Sequence, residues 1–593
     1  AAAAFIGALG KHLPRRIADA LAILASLSAA GSGFWLMHAS AHRSLVDWFG
    51  GWHPRGNVAL GIAFQIDPIG AGAAAMAASL ICASFVYSLS YFDSVGNTFH
   101  VLMLLFEAAM CAFALTGDLF NLFVWFELMS VSAFALCGYK TEESGPVQGA
   151  LNFAVTNTIG AFLVLTGIAL LYGRTGALNL AQIGRSLGGA HDPLVIAAFT
   201  FISCGFLVKA GMVPFHLWLD DAHAVAPTPV CVLFSGIMVE LGLLAVARVY
   251  WNIFRAPFSA SDAGVRGVFI AFGTLTAIVG ALMCYSQRHL KRLLAFSTIS
   301  HMGLMMIAFG LLSRRALGGL SIYVVGHGAL KAALFMSAGL LLQKFNTVDE
   351  FKLTGQGKRL HGSGAIALLL AIGLSGVPPY GTWMAEAIID HAAKEVGFAW
   401  IGYVFLFAGI MTAAAVLRVV GRYQFGWGRP EEEEEGGAEQ GQTDEGPESS
   451  GHGISATMAV PIFVFLLLGI GVSFVPHLRD AVSNAAMHFM DTSALHSQAL
   501  DAAALPRYAP EEKLPLLPGI IRGGIATVLA VGLALATLFW KNVPLFGALD
   551  VKKVALAIMR PLRTLHSGAI GDYVTWITFG TAVIGVTFAW ILR

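Results

Sequence analysis

The sequence predicts an all-α polytopic membrane protein, and three observations carry the prediction. The 593 residues are 57% hydrophobic, with a mean hydropathy of +0.72, and only 12% are charged. A soluble protein carries about twice that charged fraction. The apolar residues fall in repeated blocks of about 20, the length that spans a bilayer as helix. The blocks are continuous and do not alternate, so they read as helices rather than barrel strands.

The opening AAAAFIGALG is expected to be the tail of a spanning segment, and no signal-peptide pattern is read there. After a basic turn at 11–16, spans are predicted at 17–37, 69–91, 100–115, 119–139, 147–172, 194–212, 230–251, 268–285, 293–312, 320–342, 364–390 and 399–420. Between the first two, Trp48 and Trp52 suit an interfacial belt beside His53. The texture changes at RPEEEEEGGAEQGQTDEGPESSGHG, residues 429–453. A run this acidic and Gly-rich is expected to be a solvated, disordered loop without chemistry of its own. Spans at 454–474, 520–540 and 574–592 bring the total to about sixteen. The expected units are N-terminal helices at 1–116, two halves of a core at 117–260 and 261–425, the acidic linker at 426–453, and C-terminal helices with amphipathic connectors at 454–593.

Charge orients the chain but names no soluble partner. A net charge of +1 gives no reason to expect nucleic acid. If loops alternate sides, the side holding Lys11 also collects Lys140, Arg288, Lys291, Arg292, Lys344, Lys352, Lys358, Arg359, Lys552 and Lys553. Basic loops stay cytoplasmic, so that side, with the acidic linker, is placed in the cytoplasm. The six cysteines are scattered singly, at spacings that suit neither a metal nor a redox pair. No phosphate-binding glycine loop stands in the right context. No cofactor is therefore expected in this chain.

Two spans are interrupted. One runs into Pro214 and continues as FHLWLDDAHAVAPTP; the other contains SGVPPYGTW, with Pro378 and Pro379 in mid-span. A proline inside a helix removes a hydrogen bond, and at membrane depth the freed groups must face protein or water. Two such breaks about five spans apart fit two inverted five-helix repeats around an ion site.

The stretch GDLFNLFVWFELMSVSAFALCGY places one carboxylate, Glu127, near the middle of a span. An intramembrane charge costs ~3 kcal/mol or more and marks a functional site by default. Partners follow along the chain: Glu107 in LLFEAAMCAF, Lys209 five residues before Pro214, Glu240 in SGIMVELGLL, His301 after FSTIS, His327 one turn before Lys331 in GHGALKAALF, and Glu386 seven residues after Pro379. Each alone reads equally well as a hydrogen bond across a helix interface. Together they interleave acid and base over about eight spans. Opposite charges hold each other ionised while burial pushes each toward neutrality. A row of such groups bridged by water is a proton relay, in which each group's state depends on its neighbour's.

The motifs GDLFNLFVWFELM, KAGMVPFHLWLDDAHAVAPTPVCVLFSGIMV, HLKRLLAFSTISHMGLM, GHGALKAALFMSAGLL and SGVPPYGTWMAE resemble the antiporter-like subunits of the complex I superfamily. This group comprises NADH:quinone oxidoreductase, membrane-bound hydrogenases and Mrp-type cation/proton antiporters. The resemblance covers residues 1–425 or so and implies a core of about fourteen helices with two inverted five-helix repeats, plus two C-terminal transmembrane helices. It implies Glu127 and Lys209 as the input pair of one half-channel, Lys331 as the central relay with His327, and Glu386 as the output. Glu107 and the Glu at 386 are similar to the chain M and hydrogenase-4 type of these subunits, where other members carry Lys at the output. The function implied is proton translocation in a multisubunit oxidoreductase whose redox centres lie in partner subunits of a bacterial or archaeal inner membrane.

The C-terminal part, HSGAIGDYVTWITFGTAVIGV, is similar to the last span of the large subunits. The connector before it, about 33 residues, would reach only ~50 Å as helix. The stretch VKKVALAIMRPLRTL, interrupted by Pro561, is expected to lie amphipathically on the surface. This tilts the reading toward a hydrogenase-like member.

Three rival readings remain at this level. A Mrp-type exchanger would move sodium against protons without reductant, although Lys and His repel metals where hard cations want clustered oxygens. A haem-ligating subunit would use His216, His223, His301 and His327 and would absorb visible light. A stand-alone carrier of an organic solute would purify as a single chain. Many relatives carry Lys or His where this chain has Glu240, so Glu240 is expected either to serve Lys209 as a second counter-ion or to carry protons itself. On that expectation Glu240→Gln slows proton movement in membrane vesicles, and unchanged pumping would remove Glu240 from the relay.

Overall fold

The computed structural model describes residues 1–41, 45–56, 58–190, 192–360, 362–428, 455–501, 516–539, 562, 564–566 and 568–592. The acidic linker from 429 onward and most of the connector 540–567 lie outside these, so the expectations for the acidic loop and for 551–565 as an amphipathic stretch are not described by it.

The N-terminal part comprises α1 (Ala2–Leu9), α2 (Arg15–Ser40), a hairpin of β1 (Leu45–Trp48) and β2 (Ala63–Ile66), α3 (Pro68–Tyr91) and α4 (Asn97–Leu115). The first half of the core holds α5 (Leu119–Cys137), α6 (Ser144–Thr175), α7 (Leu180–Leu187), α8 (Pro193–Lys209), α9 (Leu217–Val225), α10 (Thr228–Leu233) and α11 (Val239–Val249). α12 (Asp262–Ser286) leads to the second half: α13 (Leu290–Gly310), α14 (Arg314–Phe345), α15 (Ser363–Gly373), α16 (Gly381–Glu395) and α17 (Ile401–Val420). After the linker come α18 (Ala456–Gly471), α19 (Leu478–Met490), α20 (Thr492–Asp501), α21 (Leu517–Leu538) and α22 (Ile570–Ile591).

Among the described residues 13 helices are long and apolar enough to cross a membrane. The two broken spans appear as the shorter apolar helices α8 and α15, each continued beyond a break by α9 or α16, and with the short α1 these account for the spans expected. The hairpin was not expected. Its register sets Trp48 opposite Ala63 and buries Trp48, so only the exposed Trp52 is free to sit in an interfacial belt.

The two halves are built alike. In the first, Leu119 donates its amide to Leu178 at 2.8 Å and Leu180 donates to Gly117 at 3.0 Å; in the second, Leu290 donates to Val348 at 2.9 Å and Glu350 donates to Arg288 at 3.0 Å. Each half ends in a helix carrying a buried arginine and then a π-turn, at Tyr250–Phe254 and at Gly421–Phe425. Arg248 pairs with Asp67 at 2.8 Å and donates to the Ala114 carbonyl at 2.9 Å. Arg418 pairs with Glu350 at 2.8 Å and donates to the Gln287 carbonyl at 2.9 Å. Both arginines thus satisfy main-chain carbonyls at the C-terminal ends of neighbouring helices, Ala114 in the last turn of α4 and Gln287 just past α12, where such acceptors are left over.

Small residues let the core close. A side chain at Gly280 or Gly303 would collide with the backbone of the facing helix in the α12–α13 pair, and one at Gly205 would do the same to α6. Lipid gives no hydrophobic drive for helices to associate, so close backbone approach supplies the contact instead.

Outside the spans, α20 docks through Arg185 on Asp501 at 2.7 Å and His496 on the Asn252 carbonyl at 2.9 Å. Burial, aided by the neighbouring Arg185, pushes the His496 pKa below its ordinary 6.5. The folded imidazole then takes up a proton less readily than the unfolded one, so docking is at full strength above about pH 6.5 and is lost as pH falls through the depressed value. Amide exchange of 492–501, corrected for intrinsic rates, is expected to rise on acidification in the parent and to stay flat in His496→Gln.

Candidate functional site

The breaks bring the site together. α8 ends at Lys209 and the chain is non-helical until α9; α15 ends at Gly373 and the chain is non-helical until α16. Val213–Pro214 and Pro378–Pro379 are both cis. Pro214, Pro378 and Pro379 therefore stand where expected, in the two interruptions.

Lys209 is fully buried, and its Nζ donates to Ser130 Oγ at 2.8 Å while lying over the rings of Phe126 at 5.1 Å and Phe153 at 5.4 Å. Its partner in this structure is therefore a hydroxyl, not Glu127 directly. Glu127 stands one turn before Ser130 on the same face of α5 and is the carboxylate that acts on the Lys209 charge. Its Oε1 is buried without a protein partner.

Beyond Lys209 the packing turns aromatic. Phe153 meets Phe234 at 5.6 Å, and Phe234 meets His223 of α9 at 5.7 Å. Polar contact resumes at His223, whose Nε2 lies 3.1 Å from Ser235 Oγ, itself 2.7 Å from Thr298 Oγ1. On the adjacent residue of α13, Ser297 accepts from Lys331, whose Nζ also donates to the Leu294 carbonyl at 3.0 Å. Lys331 acts electrostatically on His223, Glu240, His301 and His327 and so stands at the centre.

The row continues through imidazoles. His327 Nδ1 is 3.0 Å from Glu240 Oε1, and its ring stacks on His301 at 5.1 Å. His301 contacts the Tyr323 hydroxyl at 2.8 Å and Thr412 Oγ1 at 3.3 Å. Glu386 lies on α16 against Gly376 of the break and acts electrostatically on Tyr323. Glu240 Oε2, His327 Nε2 and His223 Nδ1 are buried without protein partners.

Two expectations are corrected. Glu240 sits against His327 rather than serving Lys209 as counter-ion, because α11 turns its acidic face toward α14. Glu107 is not brought to the row. It faces α2, where Ser26 donates to it at 2.6 Å, and the thiols of Cys82 and Cys111 lie within its electrostatic reach. Other residues of the site went unnoticed in the sequence. Lys291, counted among loop charges, is fully buried at the start of α13 and donates to the Ala226 carbonyl at 2.8 Å. Ser130, Ser235, Ser297, Thr298, Tyr323 and Thr412 carried no signal beyond a short polar run, since hydroxyls are common in spans. Of the histidines of the haem reading, His301 and His327 stack on each other, His223 stacks on Phe335 at 4.6 Å, and His216 meets His566 edge-on at 5.0 Å.

Two broken-helix halves around a buried row of Glu, Lys and His define an antiporter-like membrane subunit of the complex I and Mrp kind. Residues 116–412 match the family model described as NADH:quinone oxidoreductase/Mrp antiporter, transmembrane, and the chain belongs to that family. NADH-quinone oxidoreductase subunit N of Desulforudis audaxviator is 30% identical over 464 residues, covering 77% of this chain and 88% of that protein. A chain of the membrane-bound sulfane sulfur reductase, an archaeal respiratory membrane complex, superposes with a TM-score of 0.73 at 24% identity, over 84% of this chain and 97% of that one. A chain of the Mrp complex from Dietzia sp. DQ12-45-1b superposes with a TM-score of 0.71 at 21% identity, over 84% and 97%.

The Ser130 contact is open to a direct test. Ser130→Ala is expected to destabilise the detergent-solubilised protein by about 2 kcal/mol, the worth of a hydrogen bond to a charged group. Adding Lys209→Met should cancel most of that loss. Thermal unfolding of both variants checks it; strictly additive effects would show that the two residues do not interact.

Proposed function

We propose that the chain is a proton-translocating subunit of a multisubunit, complex I-like energy-converting membrane complex. Protons move along the row Glu127, Lys209, Lys331, His327, His301 and Glu386, driven by redox chemistry in partner subunits. The observation that supports this best is Lys331, held by the Ser297 hydroxyl and the Leu294 carbonyl and within electrostatic reach of four other titratable groups. Buried polar atoms need partners, and one water at each of the unpartnered atoms of Glu127, His223, Glu240 and His327 would extend the hydrogen bonding on either side of the Phe153–Phe234 packing. A proton arriving at one group then changes the charge its neighbour sees, so occupancy passes along the row.

In this reading the chain binds no cofactor, contacts other membrane subunits and lipid, and sits in a bacterial or archaeal inner membrane with the acidic linker on the cytoplasmic side. The transported ion is H⁺ rather than Na⁺, because the Lys331 ammonium at the centre repels metal cations and the imidazoles around it do not supply the clustered oxygens a hard cation needs. The likeness to a chain of a Mrp complex favours a second reading, a subunit of a cation/proton antiporter.

The test uses inside-out vesicles from cells carrying Lys331→Ala in the assembled complex. Proton uptake with electron donor present is expected to fall about a hundredfold, the lower range for loss of a positioned proton donor, while subunit assembly on native gels is unchanged. Uptake at the parental rate would refute the relay. A sodium pulse that moves protons without any donor would establish the antiporter reading instead.

A further inference from the structure

α21 and α22 lie outside the two repeats, yet each reaches one break. Along α21, a side chain at Gly523 would collide with the Gly376 carbonyl and Val377, and one at Gly519 would press on Ala387 of α16. Thr527 Oγ1 lies 2.7 Å from Ser375 Oγ inside the same break. Arg522 pairs with Asp390 of α16 at 2.7 Å, a carboxylate that Lys394 also reaches at 2.7 Å. Arg522 is near enough to Glu386, one turn earlier, to act on its charge.

α22 treats the first break the same way. A side chain at Gly580 would collide with Pro214 and Phe215. Tyr573 donates its hydroxyl to Asp221 of α9 at 2.6 Å, and Asn152 donates to the same oxygen at 3.0 Å. Asp221 stands seven residues after Pro214, as Glu386 stands seven after Pro379. Both polar contacts are shielded: Tyr573 and Asp221 are buried, and Asp390 is 6% exposed.

A half-helix beyond a break has no continuous hydrogen-bond ladder to the half before it, so side-chain contacts must fix its position. α16 carries Glu386, a member of the row, and α9 carries His223, on which Lys331 of the row acts. We propose that the two C-terminal helices are clamps, one for each break: α22 fixes α9 through Gly580 and Tyr573–Asp221, and α21 fixes α16 through Gly523 and Arg522–Asp390. Tyr573 and Arg522 are thereby positioning residues for the two half-helices. Their importance for proton movement rests on the function proposed above; the mechanical claim does not.

Hydrogen–deuterium exchange of the intact complex in its purified form, without electron donor, tests it. Arg522→Gln should raise exchange in 372–395 at least fivefold and leave 207–226 unchanged, and Tyr573→Phe should do the reverse. Arg522→Lys, which keeps the charge on Asp390, should restore the parental pattern. If Arg522→Gln does not assemble, Thr527→Val, which removes the Ser375 contact, is read over the same segment. No change at the facing break, or equal loosening of both breaks, overturns the clamps. Because no proton movement is measured, this result is independent of the Lys331→Ala outcome. A failed relay with locally loosened breaks leaves the clamps standing, and a sustained relay with unaltered breaks removes them.

Discussion

A charge at bilayer depth must be answered by another charge, a dipole or water, because hydrocarbon offers none of these. That constraint shapes the whole interior. Two buried lysines, Lys209 and Lys331, are answered by hydroxyls and a main-chain carbonyl rather than by carboxylates in direct contact, and a third, Lys291, reaches the Ala226 carbonyl. The Ala226 carbonyl that receives Lys291 lies between α9 and α10, where Pro227 follows and the regular helix has stopped. Breaking a helix makes acceptors available inside the membrane, and it also creates half-helices whose position must be secured from elsewhere. The polar row, the proline breaks and the seating of α21 and α22 are linked consequences of placing charge where solvent is scarce.

The duplicated plan shows how the same solution serves both halves. Paired backbone contacts at Gly117/Leu178 and at Arg288/Val348 fix the first helix of each half, and a buried arginine closes the last. A buried arginine engaged with a carboxylate and carbonyls is costly to disturb, since removing one partner strands the other. These pairs involve none of the residues of the titratable row and brace the helices that carry it.

Much of this was legible in the sequence, for a physical reason. Spans announce themselves by hydrophobic length, and the breaks by prolines no continuous helix accommodates. Glu127, Lys209, His327, Lys331 and Glu386 stood out because ionisable residues are rare in such segments. What stayed hidden was pairing. Glu240 is legible as either a counter-ion to Lys209 or a proton carrier, and its place on α11 sets it against His327 rather than Lys209. Glu107 looked like a relay member until α2 supplied Ser26. Lys291 follows His289 and Leu290 and reads as a loop charge, but the helix starting at Leu290 carries it inward. The hydroxyls between charges give no periodic or compositional signal, because serine and threonine in spans commonly bond to their own helix, as Ser130 does to the Phe126 carbonyl.

The aromatic packing between Lys209 and His223 has a consequence for the membrane as a whole. A continuous aqueous thread from one face to the other would let the ion gradient drain away at no benefit, at ~2.3 kcal/mol for each charge crossing 100 mV. Phe153 and Phe234 occupy the space where such a thread would run. If protons pass along the row as proposed, those rings have to shift before solvent can bridge Lys209 and His223.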